Sequence, residues 1–89
     1  MKVQNMTNDN YRAIPNQFIL TDDDGNTFFQ SYQSVIAKRD RAGNITLDRN
    51  KWDYSVTTGR YRNIFLNEKK AETEKKIKSG EYKLVDLNE

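Results

Sequence analysis

The side chains best suited to chemistry in this sequence are basic and aromatic, and they are concentrated in the middle of the chain. Residues 38–62 contain seven Lys and Arg side chains and three Asp side chains, whereas the whole chain has a net charge of only +2. Trp52, Tyr54 and Tyr61 lie among these cations. Basic side chains can neutralise phosphates while aromatic rings stack on bases, so this pattern is typical of nucleic-acid contact.

Eight residues of this segment make up the candidate binding surface. They are Arg41, Arg49, Lys51, Trp52, Tyr54, Arg60, Tyr61 and Arg62. Arg60 and Arg62 would point about 200° apart on a helix, which does not make a single basic face. In the simpler reading, Trp52 and Tyr61 belong to the core and the arginines form a solvated face. The sequence leaves open whether Trp52 is buried.

Histidine and cysteine are both missing from the sequence. These residues supply most activated nucleophiles, neutral-pH proton shuttles and transition-metal ligands. Their absence excludes triads built on histidine, thiol catalysis and ordinary zinc sites. Carboxylate-based hydrolysis would need two acids that converge in a pocket, and nothing in the sequence marks such a pair. We therefore expect no enzymatic activity, no cofactor and no metal.

The acidic run at residues 22–26, Asp-Asp-Asp-Gly-Asn, could suggest a calcium loop because clustered carboxylates suit a hard cation. An EF-hand loop that began at Asp22 would need glycine at its sixth position and glutamate at its twelfth. Thr27 and Gln33 occupy these positions. The run is therefore interpreted as the turn of a β-hairpin, in which Gly25 takes a positive φ.

Alternating apolar residues and turn signals predict strands in the first half of the chain. Residues 17–21 and 27–32 flank the acidic turn as one hairpin, and residues 34–38 and 44–47 flank a second turn at 39–43. Helical spacing follows, because Ser55, Thr57 and Thr58 can cap a helix that contains Tyr61, Ile64 and Phe65 on one face.

A second helix is predicted over residues 67–78, which are rich in Glu-Lys pairs at i,i+4 spacing and end at Ser79 and Gly80. Residues 81–87 follow as a final strand. The predicted fold is thus α+β, with a small antiparallel sheet of four to five strands and two short helices. Residues 1–16 are expected to be a polar, partly flexible leader, and residues 17–89 a single domain.

A chain of 89 residues has room for one modest core, to which ten aromatic residues contribute much of the apolar area. It has no apolar run of membrane-spanning length, and the first ten residues lack the apolar segment of a signal peptide. Without cysteine, nothing indicates an oxidising compartment. We expect a cytoplasmic protein with no membrane association.

Three stretches of the sequence, residues 28–37, 51–66 and 77–82, together resemble a family of small uncharacterised proteins from bacteriophages, prophages and mobile elements. The resemblance implies no catalytic or ligand residues. What it implies is context, since small phage proteins without enzyme motifs often bind a host factor, a defence protein or the phage's own DNA. The host cytoplasm would then be the place of action.

The function expected from the sequence is that of a non-enzymatic accessory protein that acts by binding another protein. Tyr, Trp and Arg are favoured anchors of protein interfaces, and this chain has many aromatic residues on a lean core. The alternative is a DNA- or RNA-binding module that uses Lys51, Trp52, Arg60, Tyr61 and Arg62. Self-association is compatible with either reading.

Overall fold

The structure is a computed structural model that describes residues 1–88, and within them the chain forms six strands and two helices. These are β1 (Lys2–Thr7), β2 (Ala13–Thr21), β3 (Thr27–Ser31), β4 (Ser34–Arg39), β5 (Ile45–Asp48), α1 (Val56–Leu66), α2 (Lys70–Ser79) and β6 (Lys83–Val85). The strands lie in one sheet in chain order. The predicted α+β class and both helices are confirmed.

The sheet differs from the prediction at its two edges. Strand β1 was not expected, because Lys2–Thr7 is polar and exposed and gives no hydrophobic alternation. It pairs antiparallel with β2, so the segment expected to be a leader contains a strand and the start of a second. At the other edge, β6 is present as predicted but pairs in parallel with β5, with Leu84 beside Leu47. The helices form the crossover that a parallel pairing requires.

The two predicted hairpin turns share one geometry. Asp22 and Asp40 each begin a five-residue turn with the sequence Asp-x-x-Gly-Asn. In both, the aspartate Oδ1 accepts hydrogen bonds of 2.8 to 2.9 Å from the backbone N–H groups of the third and fifth residues. Hydrogen bonds from the fifth residue hold the pKa of both carboxyl groups below its usual value. The Asp22 carboxylate is thus engaged within its own turn.

Glycine occupies the fourth position of both turns because the backbone there is left-handed, with φ of +86° at Gly25 and +92° at Gly43. The β1–β2 hairpin closes with the same hydrogen bonds, since Asn8 Oδ1 accepts from the N–H groups of Asn10 and Arg12. Its fourth residue is Tyr11, which has a φ of +60° and is 89% exposed. Tyr11 therefore adopts a conformation that favours glycine.

Replacing Tyr11 by glycine is expected to raise the free energy of unfolding by about 0.5 to 1 kcal/mol. The left-handed conformation costs a residue with a Cβ about 1–2 kcal/mol, part of which the flexibility of glycine in the unfolded chain offsets. Urea unfolding followed by Trp52 fluorescence measures the change.

Gly43→Ala is the matched control for Tyr11→Gly, because an added Cβ at Gly43 would meet no atom within 4 Å. Gly43→Ala should lower the free energy of unfolding by a similar amount, because its only effect is to place a Cβ on a left-handed backbone. A lower stability of Tyr11→Gly would contradict the assignment of strain to Tyr11.

The core lies between the sheet and the two helices. Phe29 stacks on Phe65 with ring centroids 6.0 Å apart. The hydroxyl groups of Ser31 and Thr58 share a buried hydrogen bond of 2.9 Å, which fixes the start of α1 over the end of β3. The remaining buried apolar cluster consists of Ala37, Ile45, Leu47, Leu66 and Tyr82, with Trp52, Phe65, Ile77 and Leu84 packed against it.

Both helices have identifiable ends. Ser55 caps α1 by accepting a hydrogen bond from the N–H of Thr58, one of the capping residues that the sequence predicts. Asn67 ends α1 with a φ of 56°, and Gly80 ends α2 with a φ of 85°. The predicted C-cap at Gly80 is therefore confirmed.

The buried face of α1 is not the one that the sequence predicts. Ile64 was expected to face the core, but it is 58% exposed. The buried residues of the helix are Thr58, Gly59, Arg62 and Leu66. The helix is turned this way because Thr58 and the terminal guanidinium nitrogens of Arg62 find polar partners there, which offsets most of the cost of burying them.

The connection between α1 and α2 is fixed by the carboxylate of Glu68, whose side chain is buried. It accepts hydrogen bonds from Thr73 Oγ1 at 2.6 Å, Lys76 Nζ at 2.7 Å and the Tyr82 hydroxyl at 2.9 Å. Burial alone would raise the pKa of Glu68, but these three donors outweigh it and lower the pKa below its usual value. The same contact raises the pKa of Lys76.

Candidate functional site

The structure separates the eight residues of the predicted binding surface. Arg41 lies in the β4–β5 turn with its side chain against Gly25, at the opposite end of the sheet from the start of α1. Arg49 lies beside β6 and donates a hydrogen bond of 3.3 Å to the Leu84 carbonyl. Arg41 therefore lies away from Arg60, and Arg49 is engaged at the β5–β6 edge of the sheet and lines neither of the grooves described below.

The sequence placed Arg62 on the candidate binding surface, but the structure buries it, with 1% of the residue exposed. Its guanidinium donates to the Trp52 carbonyl at 2.7 Å and to Asp53 Oδ1 at 3.2 Å, and it lies 5.2 Å from the centroid of the Trp52 ring. A third hydrogen bond, of 3.0 Å, goes to Asn63 Oδ1. Arg62 holds α1 to the loop that precedes it and is not available to a phosphate.

Trp52, whose burial the sequence left open, is half-buried and packs against the core. Lys51 lies 5.0 Å from the centroid of the Tyr54 ring, and Tyr54 is 42% exposed. Arg60 is exposed and lies 5.7 Å from the centroid of the half-buried Tyr61 ring. The predicted residues that share one exposed region are therefore Tyr54, Arg60 and Tyr61, with half-buried Lys51 beside Tyr54.

An exposed row of side chains along α1 extends this region. Val56, Arg60 and Ile64 are spaced four residues apart, which puts them on one face of the helix. Val56 is 93% exposed and Ile64 is 58% exposed. We call these three residues the outer face of α1. Val56 and Ile64 lie two helical turns apart with Arg60 between them, so the row exposes apolar surface on both sides of a cation.

Two grooves border the outer face of α1, and Arg60 lines both. The first, with a volume of about 670 Å³, lies between loop 53–55 and the first half of α1, with Lys70 of α2 on its far side. The second, of about 380 Å³, separates Tyr61 and Ile64 from the β1–β2 hairpin, where Ile14 lines it. The outer face therefore projects between two depressions that a partner could enter.

The charges of the first groove come from Asp53, which is ion-paired, and from Arg60, which is not. Asp53 Oδ1 pairs with Arg62, and its Oδ2 pairs with Lys70 at 2.7 Å. Partial burial acts to raise the pKa of Asp53, but the hydrogen bonds from Lys70 and Arg62 prevail and lower it. Within residues 1–88, Arg60 makes neither an ion pair nor a side-chain hydrogen bond.

Val56, Ile64 and Ile14 belong to this region but were not predicted to do so. The sequence carries a signal for the first two, because they lie four residues to either side of Arg60. That signal competes with the usual expectation that isoleucine on a helix faces the core. The burial of Thr58 and Arg62 is what turns Ile64 away from the core. That burial depends on Ser31 and Trp52, which are distant from the two residues in sequence.

Within residues 1–88, no helix is long and apolar enough to cross a membrane. The same part of the chain has no group of three or more Asp and Glu side chains placed to hold a metal ion.

The chain matches no curated protein and no solved structure. One protein-family model does match, and its description is a family of unknown function, DUF8033. The match runs over residues 1–81, so it includes the β1–β2 hairpin and all of the outer face of α1 as well as α2. On this match the chain belongs to DUF8033.

Proposed function

We propose that this protein is a non-enzymatic binding module and that the outer face of α1 is its contact surface for another protein. The observation that carries the proposal is the exposure of Val56 and Ile64 on either side of Arg60. Burial of one such aliphatic side chain in an interface stabilises a complex by about 1.5–3 kcal/mol before the costs of association.

The composition of the region also favours a protein partner. Interfaces are enriched in tyrosine and arginine, and Tyr54, Tyr61 and Arg60 surround the two aliphatic residues. Open depressions lie on both sides of the outer face of α1, so side chains of a partner could contact it from either side. The proposal includes a role for the protein as an accessory factor of a phage or mobile element that binds a host or defence protein. The resemblance of residues 28–37, 51–66 and 77–82 supports that context.

A second candidate function is nucleic-acid binding. It is favoured by one observation, namely that Arg60, Lys51 and Tyr54 all lie near the start of α1 with their charges and one ring accessible. The burial of Arg62 and the distance of Arg41 weaken it, because neither cation can then contribute to a surface at the start of α1. Phosphate contacts would make the affinity fall steeply with salt, so anisotropy titrations of duplex and single-stranded DNA at 50 and 200 mM salt test this function.

Site-specific photocrosslinking in the native host tests the proposed function. A photoreactive phenylalanine at position 56 should form a discrete covalent adduct with one protein, whereas the same residue at the exposed position 78 of α2 should not. Ile64→Asp should abolish the adduct, because it places a charge in the apolar contact. Equal labelling from positions 56 and 78, or none from either, would contradict the proposal.

A further inference from the structure

We infer that the first groove binds an acidic segment of the partner protein. A carboxylate of that segment would meet Arg60 and the N-terminus of α1, and a neighbouring apolar side chain would lie on Tyr54 and Val56. This inference rests on the proposed function and specifies the chemistry of the partner.

The charge of the groove is the first reason. Its lining includes Arg60, Arg62 and Lys70 but only one acid, Asp53. Both oxygens of Asp53 are already paired, with Arg62 at 3.2 Å and Lys70 at 2.7 Å. Arg60, which makes no ion pair within residues 1–88, therefore lines a groove that has no carboxylate left to neutralise it, and it also lines the second groove, which contains Asp9.

The start of α1 adds to this positive potential. Ser55 accepts the hydrogen bond of the Thr58 N–H, which leaves the N–H groups of Val56 and Thr57 without an intrahelical acceptor. The first turn of α1 contains no acidic residue. A helix N-terminus attracts anions through these N–H groups and the helix dipole.

Arg62 gives an independent indication within the same groove. It lines the groove, is 1% exposed, and its Nε has no hydrogen-bond partner in residues 1–88. The Nε itself is out of solvent, but Arg62 and Lys70 share the single carboxylate of Asp53, so these three side chains together leave an excess of positive charge at the groove.

The walls of the groove favour a peptide over a polyphosphate. Tyr54 is 42% exposed and Val56 93% exposed, so apolar surface borders the cationic centre. Only one unpaired cation lines the opening, whereas non-specific nucleic-acid binding depends on several phosphate contacts. A segment in which Asp or Glu alternates with Leu or Phe matches both the charge and the apolar border.

The test is an NMR titration of the ¹⁵N-labelled full chain with the ten-residue peptide Asp-Leu-Glu-Phe-Asp-Leu-Glu-Phe-Asp-Glu at low salt. The backbone amide signals of Val56, Thr57 and Gly59 should shift, and the matched peptide with Asn and Gln in place of Asp and Glu should not shift them. Arg60→Glu should weaken binding by about tenfold, because it replaces the attracting charge with a repelling one.

Lys78→Glu is the control for Arg60→Glu, since it changes the net charge equally at an exposed position on α2 and should leave the affinity unchanged. Equal shifts with the amide peptide, or shifts away from α1, would overturn the inference. So would shifts of the same amides by a 12-base-pair DNA duplex but not by the acidic peptide.

The two proposals fail in different ways. If position 56 crosslinks one protein but the acidic peptide does not bind, only the inference about the partner's acidity is lost. If position 56 crosslinks no protein, the proposed function is lost as well.

Discussion

Arg62→Ala will lower the free energy of unfolding by about 3–5 kcal/mol, because it truncates a large buried side chain and leaves a buried acceptor without its donor. The substitution removes the donors to the Trp52 carbonyl and to Asp53 and leaves a cavity beneath the Trp52 ring. A chain of 89 residues has a total stability of about 4–13 kcal/mol. Arg62→Ala is therefore expected to bring the protein close to unfolding at room temperature.

Urea unfolding monitored by the single tryptophan measures this effect directly, because the Arg62 guanidinium lies over the Trp52 ring. Arg60→Ala is the matched control, two residues away on the same helix but exposed, and it should change the free energy of unfolding by no more than about 0.5 kcal/mol. Arg62→Met separates packing from charge, since it fills much of the space without the guanidinium. Equal stability of Arg62→Ala and Arg60→Ala would show that Arg62 has no structural role.

Glu68→Ala will lower the free energy of unfolding by about 2–3 kcal/mol. It leaves the hydroxyl groups of Thr73 and Tyr82 without their acceptor, and an unmade hydrogen bond of a buried group costs about 1–3 kcal/mol. Exposed Glu81 provides the matched control, because Glu81→Ala removes a carboxylate from the same end of the chain. A loss for Glu68→Ala no larger than that for Glu81→Ala would contradict the role of the Glu68 cluster.

The same carboxylate makes stability depend on pH. The folded-state pKa of Glu68 lies below its ordinary value of 4.5, so its contribution is present at neutral pH and is lost as the pH falls through the folded-state pKa. Asp53 acts in the same direction. The drop in melting temperature between pH 7 and pH 3 should therefore be larger for the native protein than for Glu68→Gln. An equal fall in both would assign the acid sensitivity to other groups.

The sequence predicted the parts of the fold that local chemistry determines. Gly25 and Gly43 mark two hairpin turns because the left-handed position of each turn suits glycine. The third turn uses the same hydrogen bonds around Asn8, but Tyr11 takes the place of glycine, so the signal is absent. Strand β1 was missed for a related reason, because its mostly polar sequence shows no alternation of apolar and polar residues.

The candidate site was predictable only in part, since the rotation of α1 depends on contacts distant in sequence. Local spacing placed Tyr54, Arg60 and Tyr61 near the start of the helix, and the structure keeps these three together. Local spacing could not predict that Arg62 is buried, because a charged residue is seldom fully buried without partners. Those partners come from the loop before the helix, as the Trp52 carbonyl and the Asp53 carboxylate. Burying Arg62 turns Ile64 outward.

The parallel pairing of β6 with β5 sets an order for folding. The first five strands are joined by short turns, so each can pair with its neighbour soon after the turn closes. We expect strand β6 to pair after the other five strands, because it joins β5 across the whole helical connection, residues 49–82. Closing long loops slows folding through lost chain entropy. The clusters around Arg62 and Glu68 both lie within this connection, so we expect them to influence how fast the sheet is completed.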